Sequence, residues 1–81
     1  MPPRMTLYFY EDCEYSQIVL NTISSLDVLD KFHLKDIRVN PLYAKELENM
    51  TGNKIVPSLF CDQGLIRESK IIRKYLLSKF A

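Results

Sequence analysis

The side chains best equipped for chemistry stand together near the start of the chain, in Glu11-Asp12-Cys13-Glu14-Tyr15-Ser16. An apolar, aromatic stretch, Met5-Thr6-Leu7-Tyr8-Phe9-Tyr10, precedes them, and an amphipathic run from Tyr15 to about Leu29 follows. A strand that empties into a helix through a short loop leaves the loop's last residue, here Cys13, at the helix N-terminus. Unpaired N–H groups and about half a positive charge at that end favour a thiolate over a thiol. A thiolate is a nucleophile and also a ligand, and Cys13 can serve as either. In this Cys-x-x-Ser spacing Ser16 falls about one turn further on. Its hydroxyl is either a donor to the sulfur or that of an ordinary first-turn serine.

Three carboxylates, Glu11, Asp12 and Glu14, surround the cysteine and oppose its ionisation. The helix end contributes about 0.3–1 kcal/mol in favour of the anion, and about 2 kcal/mol where it is partly buried. An exposed carboxylate ~7 Å away opposes it by about 0.6 kcal/mol in water, and three by about 2 before salt screening. The two effects nearly cancel, so the sequence predicts a thiol close in acidity to free cysteine.

The 81 residues make one domain, 1–81, with residues 1–4 as a flexible lead. A chain this short buries about 60–65% of its unfolded surface, which is enough for independent folding. The net charge of +1 gives no footprint for nucleic acid. The start, Met1-Pro2-Pro3-Arg4, lacks the apolar core of a signal peptide, and Leu7–Tyr10 is too short to cross a membrane. Two cysteines, Cys13 and Cys61, are too few for a disulfide scaffold, which points to a reducing, cytoplasmic setting.

The elements that must hold the cysteine follow from periodicity. Met5–Tyr10 reads as a strand, apolar on both faces and hence central in a sheet. A helix from Cys13 to about Asp30 carries Tyr15, Ile18, Val19, Thr22, Ile23 and Leu26 on one face. Leu29 and Phe32 close its end. Leu34–Val39 reads as a strand with Ile37 and Val39 inward. Asn40-Pro41 caps a second helix that runs to about Met50 with Tyr43, Leu47 and Met50 buried, and Thr51-Gly52-Asn53 stops it. Ser58–Cys61 and Leu65–Arg67 form a hairpin around Asp62-Gln63-Gly64. Ser69 caps a last helix with Ile71, Ile72, Tyr75, Leu76 and Phe80 as its stripe. The order is βαβαββα, an α/β fold with a four-stranded mixed sheet and three helices. Its first two strands are parallel and joined by a right-handed crossover.

Three features on this frame resemble the glutaredoxins and the related N-terminal domain of glutathione S-transferases. They are the cysteine loop, Ile55-Val56-Pro57 leading into the third strand, and Leu65-Ile66-Arg67-Glu68-Ser69-Lys70-Ile71-Ile72-Arg73-Lys74-Tyr75-Leu76. The likeness runs from about Met5 to Phe80 and implies a thioredoxin-like fold with a glutathione site. Carried over by residue, Cys13 is the nucleophile and Tyr15 matches the tyrosine of the Cys-Pro-Tyr-Cys loop. Val56 would pair its backbone with the cysteinyl part of glutathione, and Pro57 would be a cis proline. Glu68 and Ser69 would hold the γ-glutamyl end. Lys54 would reach the glycyl carboxylate, or else is solvated.

The chain departs from the pattern at Ser16, which replaces the second loop cysteine, at Glu14 for the loop proline, and at Tyr10 for a lysine. The three carboxylates should also disfavour the two on glutathione. The resemblance implies a monothiol, glutathione-dependent thiol–disulfide oxidoreductase in redox homeostasis and electron transport. Glutathione would be its co-substrate, glutathionylated proteins or small thiols its substrates, and a monomer its state, with no nucleic-acid or membrane partner. Two alternatives are a module sharing an iron–sulfur cluster through Cys13 and glutathione, and a glutathione-fold adaptor with little catalysis. Tyr15 either packs on glutathione or anchors its helix. Cys61 reads as a small buried hydrophobe rather than a resolving thiol, and His33 as a surface residue with no metal partner.

Overall fold

A computed structural model describes residues 5–81, so the expected lead, residues 1–4, lies outside the described residues. Strand β1 (Met5–Phe9) leads into helix α1 (Glu14–Ser25), and a 3-10 turn (Leu29–Lys31) enters β2 (Phe32–Asp36). Helix α2 (Pro41–Thr51), strands β3 (Ser58–Cys61) and β4 (Gly64–Ile66), and helix α3 (Ser69–Phe80) complete the order. The sheet runs β2-β1-β3-β4, with β1 parallel to β2 and antiparallel to β3. This is the expected βαβαββα thioredoxin-like arrangement, and β1 is internal as its two apolar faces require.

Met5 and Leu7 point to one face of the sheet, where Val19 and Ile23 of α1 and Ile72 and Leu76 of α3 meet them with Val28, Phe32 and Leu59. Tyr8 points to the other face, where its hydroxyl donates to Glu46 of α2. Glu46 also accepts from Lys35, which lies over the Tyr8 and Tyr43 rings. Leu47 of α2 is fully buried.

Helix α1 stops five residues short of the expected Asp30. Asp27 takes a left-handed conformation (φ 56°), its N–H donates to the Ser24 carbonyl, and the Val28 N–H donates to that of Ile23. That is a Schellman closure, here with aspartate where glycine is usual. Val28, not the exposed Leu29, then seals the helix end beside Phe32.

The early stop also moves β2 forward. It pairs from Met5↔Phe32 to Phe9↔Asp36, and Phe32 is its inward residue. Val39, expected inward, is 79% exposed. Asp36 ends the strand by accepting the N–H groups of Arg38 and Val39 on its own carboxylate at 2.8 and 3.2 Å.

Helix α2 begins as expected. The Asn40 side chain accepts the Leu42 N–H at 3.0 Å, Pro41 fills the first turn, and Gly52 (φ 88°) ends the helix. Met50 and Ile71, expected in buried stripes, are exposed. The cap of α3 is Glu68 rather than Ser69, which is the first helical residue.

Candidate functional site at Cys13

Cys13 is the N-cap of α1, with extended backbone angles (φ −84°, ψ 118°) and no side-chain capping bond. Its thiol is therefore free of the helix's own needs. The loop around it is fastened at several points. The Cys13 N–H donates to the Tyr10 carbonyl at 3.1 Å, the Gln17 N–H donates to the Cys13 carbonyl at 2.9 Å, and the Gln17 side chain donates to the Glu11 carbonyl at 2.6 Å. The residue is 8% exposed, covered but not sealed.

Burial pushes the Cys13 thiol up, and hydrogen bonding pulls it down by more. The pull comes from the Ser16 hydroxyl and N–H, the Tyr15 N–H and the Tyr10 hydroxyl, and the net direction is down. Ser16 is fully buried, and its Oγ has no hydrogen-bond partner with normal geometry. That orphaned hydroxyl gains an acceptor when the sulfur ionises, which is why it lowers the pKa while standing unpaired beside the neutral thiol. The loop carboxylates, expected to oppose ionisation, are not what sets this direction. Glu11, Asp12 and Glu14 are all exposed to water, and none is among the groups that move the thiol.

Tyr15, Val56, Pro57, Arg67, Glu68, Ser69 and Lys70 line a groove of about 310 Å³. Cys13 does not line it but stands two residues before Tyr15, which does. Tyr15 is 62% exposed, so it offers a face to the groove and is not the buried anchor of α1. The Val56–Pro57 bond is cis, as the resemblance implies. Val56 precedes Ser58, the first paired residue of β3, so its N–H and C=O lie outside the ladder. Ser69 opens the 12-residue helix α3, whose first turn has no side-chain cap and so leaves N–H groups able to take an anion.

Lys54 is exposed and does not line the groove. Arg67 and Lys70, which sequence reasoning passed over as site residues, do line it. Arg67 donates to the Thr51 carbonyl at 3.3 Å and keeps a buried Nε without a partner. Arg38 was missed too. Its guanidinium lies 3.7 Å from the Tyr10 ring centroid and 3.9 Å from the Asp12 carboxylate. No local pattern pointed to Arg38, because it follows β2 and meets the loop only through the β1–β2 pairing.

Cys61 is half-buried and its thiol donates to the Gly64 carbonyl, while His33 is exposed. Among the described residues no group of three or more His, Cys, Asp or Glu could hold a metal ion, and no helix is long and apolar enough to cross a membrane.

Residues 7–81 match the family model described as glutathione S-transferase, N-terminal domain. The chain belongs to that family. Comparison with curated proteins yields no match. Among solved structures, this transferase-family domain is similar to an epsilon-class glutathione S-transferase from the housefly Musca domestica, at 25% identity and a TM-score of 0.75, over 95% of this chain and 35% of that one. Isozyme E7 from Drosophila melanogaster gives 25% and 0.75, over 96% and 35%. The domain thus spans about a third of the transferases it matches. Escherichia coli glutaredoxin shares the fold at 20% identity and a TM-score of 0.55, over 94% of this chain and 95% of that one.

Proposed function

We propose that this domain is a glutathione-dependent thiol–disulfide oxidoreductase working through Cys13 alone. The observation that carries the reading is a thiol drawn toward ionisation at the cap of α1, next to the groove formed by Val56, Pro57 and Ser69. Glutathione lies along the groove as an added strand on the unpaired backbone of Val56, with its γ-glutamyl carboxylate at the start of α3. The Cys13 thiolate attacks the glutathione sulfur of a mixed disulfide. A Cys13–glutathione disulfide forms, the original S–S bond breaks, and the substrate leaves as a thiolate that takes a proton from water. A second glutathione thiolate then attacks that intermediate, releasing glutathione disulfide and the Cys13 thiolate. No second loop cysteine is needed, which suits Ser16.

The test is turnover of a small mixed disulfide of glutathione and 2-mercaptoethanol by the wild type and by Cys13→Ser. Turnover lost in the variant supports the reading. Equal inactivity in both proteins overturns it in favour of an adaptor, and a visible absorption band after anaerobic iron and sulfide loading favours a cluster-binding module.

A further inference from the structure

Arg67 joins two segments of the chain that meet at the groove. It follows β4, just ahead of α3, and lines the groove with Glu68, Ser69 and Lys70. Its guanidinium donates to the carbonyl of Thr51, the last residue of α2, at 3.3 Å. The segment that runs from Thr51 to the cis proline is itself fastened. The Thr51 hydroxyl accepts the Asn53 N–H at 3.3 Å, the Asn53 side chain accepts the Ile55 N–H at 3.2 Å, and the Ser58 hydroxyl donates to the Ile55 carbonyl at 2.7 Å. Arg67 is thus tied to the segment that presents Val56.

That guanidinium has a donor to spare and no counterion. Its Nε is buried with no hydrogen-bond partner. Among the described residues it forms no ion pair, whereas Lys35, Arg38 and Lys79 each meet a carboxylate. Lys70 and Glu68 are exposed and solvated, but Arg67 is half-buried, so its charge is screened less and its lack of an anion costs more. A planar fork of N–H groups suits a carboxylate, which it can hold through two parallel bonds.

We propose that Arg67 takes one of the two carboxylates of glutathione, a cationic contact that Lys54, outside the groove, does not supply. The inference rests on the glutathione reading above and adds a residue to it. Either the γ-glutamyl or the glycyl carboxylate offers the fitting group, and the two are told apart by which analogue of glutathione lacks the contact. Because the same guanidinium holds Thr51, the bound carboxylate and the segment carrying Val56 share one side chain. A charge contact there helps fix where the tripeptide sits along the Val56 backbone.

Binding is read by amide-shift titration under reducing conditions with three ligands. They are glutathione, its glycyl monoethyl ester, which blocks one carboxylate, and γ-aminobutyryl-cysteinyl-glycine, which lacks the other. In Arg67→Gln the Kd for glutathione should rise by about tenfold to a hundredfold. For one of the two analogues it should rise by less than about twofold, because that ligand has already lost the group that Arg67 meets. The analogue so spared names the carboxylate. Arg67→Lys keeps the charge without the fork and should fall between wild type and Arg67→Gln, and it carries the same comparison if Arg67→Gln does not fold. An unchanged Kd for glutathione in the variants overturns the inference and leaves glutathione in the groove. So does an equal loss for all three ligands, which is what a merely structural role of Arg67 gives. If the wild type binds none of the three, the glutathione reading fails and this inference falls with it.

Discussion

Arg38 lies over Tyr10, with its guanidinium carbon 3.7 Å from the ring centroid. The contact joins the exit of β2 to the loop that carries Cys13, and Tyr10 in turn donates toward the sulfur. A cation over an aromatic face contributes about 0.5–1 kcal/mol at an exposed site. Arg38→Leu should therefore raise the Cys13 pKa and slow its alkylation at neutral pH by less than tenfold. The rate of iodoacetamide labelling against pH reads this directly. An unchanged profile would show that the guanidinium does not reach the thiolate.

Ser16→Ala separates reactivity from stability. Removing the hydroxyl takes away a donor to the thiolate, so the thiol pKa rises and labelling at neutral pH slows. It also removes a buried, unpaired polar group, which costs the native state about 1–3 kcal/mol. The variant should thus be at least as stable as the wild type in urea. Folding lowers the Cys13 pKa, so the thiolate's share of stability is present above the unfolded pKa and is lost as pH falls through the folded one. In Ser16→Ala that pH dependence should flatten.

The two ends of α2 offer a cleaner stability test. Asn40→Ala deletes the side-chain cap on the Leu42 N–H and should cost about 1 kcal/mol. Gly52→Ala forces a Cβ into φ 88° and should cost about 1–2 kcal/mol, although no atom lies within 4 Å of the new carbon. Each kcal/mol should lower Tm by about 4–8 °C in a domain of this size. A loss confined to Asn40→Ala would mean that the backbone at Gly52 relaxes freely.

Tyr8 and Glu46 set opposite edges of the pH range. Burial and then the Glu46 carboxylate push the Tyr8 hydroxyl well above its ordinary value of 10.0. The raised pKa favours the protonated phenol, so its contribution holds below pH 10 and is lost as pH climbs through the folded pKa. Lys35 and then Tyr8 hold the Glu46 carboxyl below its usual range, so that contribution holds above the unfolded glutamate pKa and is lost on acidification. Tyr8→Phe should cost about 1 kcal/mol at neutral pH and blunt the alkaline fall, whereas Glu46→Gln should blunt the acid one. Urea midpoints from pH 3 to 11 check both.

Local patterns carried most of this fold. The apolar run of β1, the Asn40-Pro41 start, the Gly52 stop and the Asp62-Gln63-Gly64 turn each say where an element begins or ends. The failures lie where tertiary geometry decides. Asp27 closes α1 in a conformation that glycine usually signals, so the helix looked longer and β2 looked later than they are. At the site, Val56, Pro57, Glu68 and Ser69 share one wall, but Lys54 stays off it. Arg38, Arg67 and Lys70 were illegible as site residues because charged side chains on loops and helices carry no period. Only the folded arrangement brings Arg38 to Tyr10 and Asp12 of the cysteine loop and sets Arg67 and Lys70 along the groove.

The central claim is that glutathione occupies the groove beside the Cys13 sulfur. An amide-shift titration of the isotope-labelled protein with glutathione tests it most directly. Concerted, saturable shifts of Cys13, Tyr15, Val56 and Ser69, with the α2 amides of Glu48 and Asn49 unmoved, are the expected result. Saturation with those four amides unmoved, or no shift at millimolar glutathione, would contradict the account.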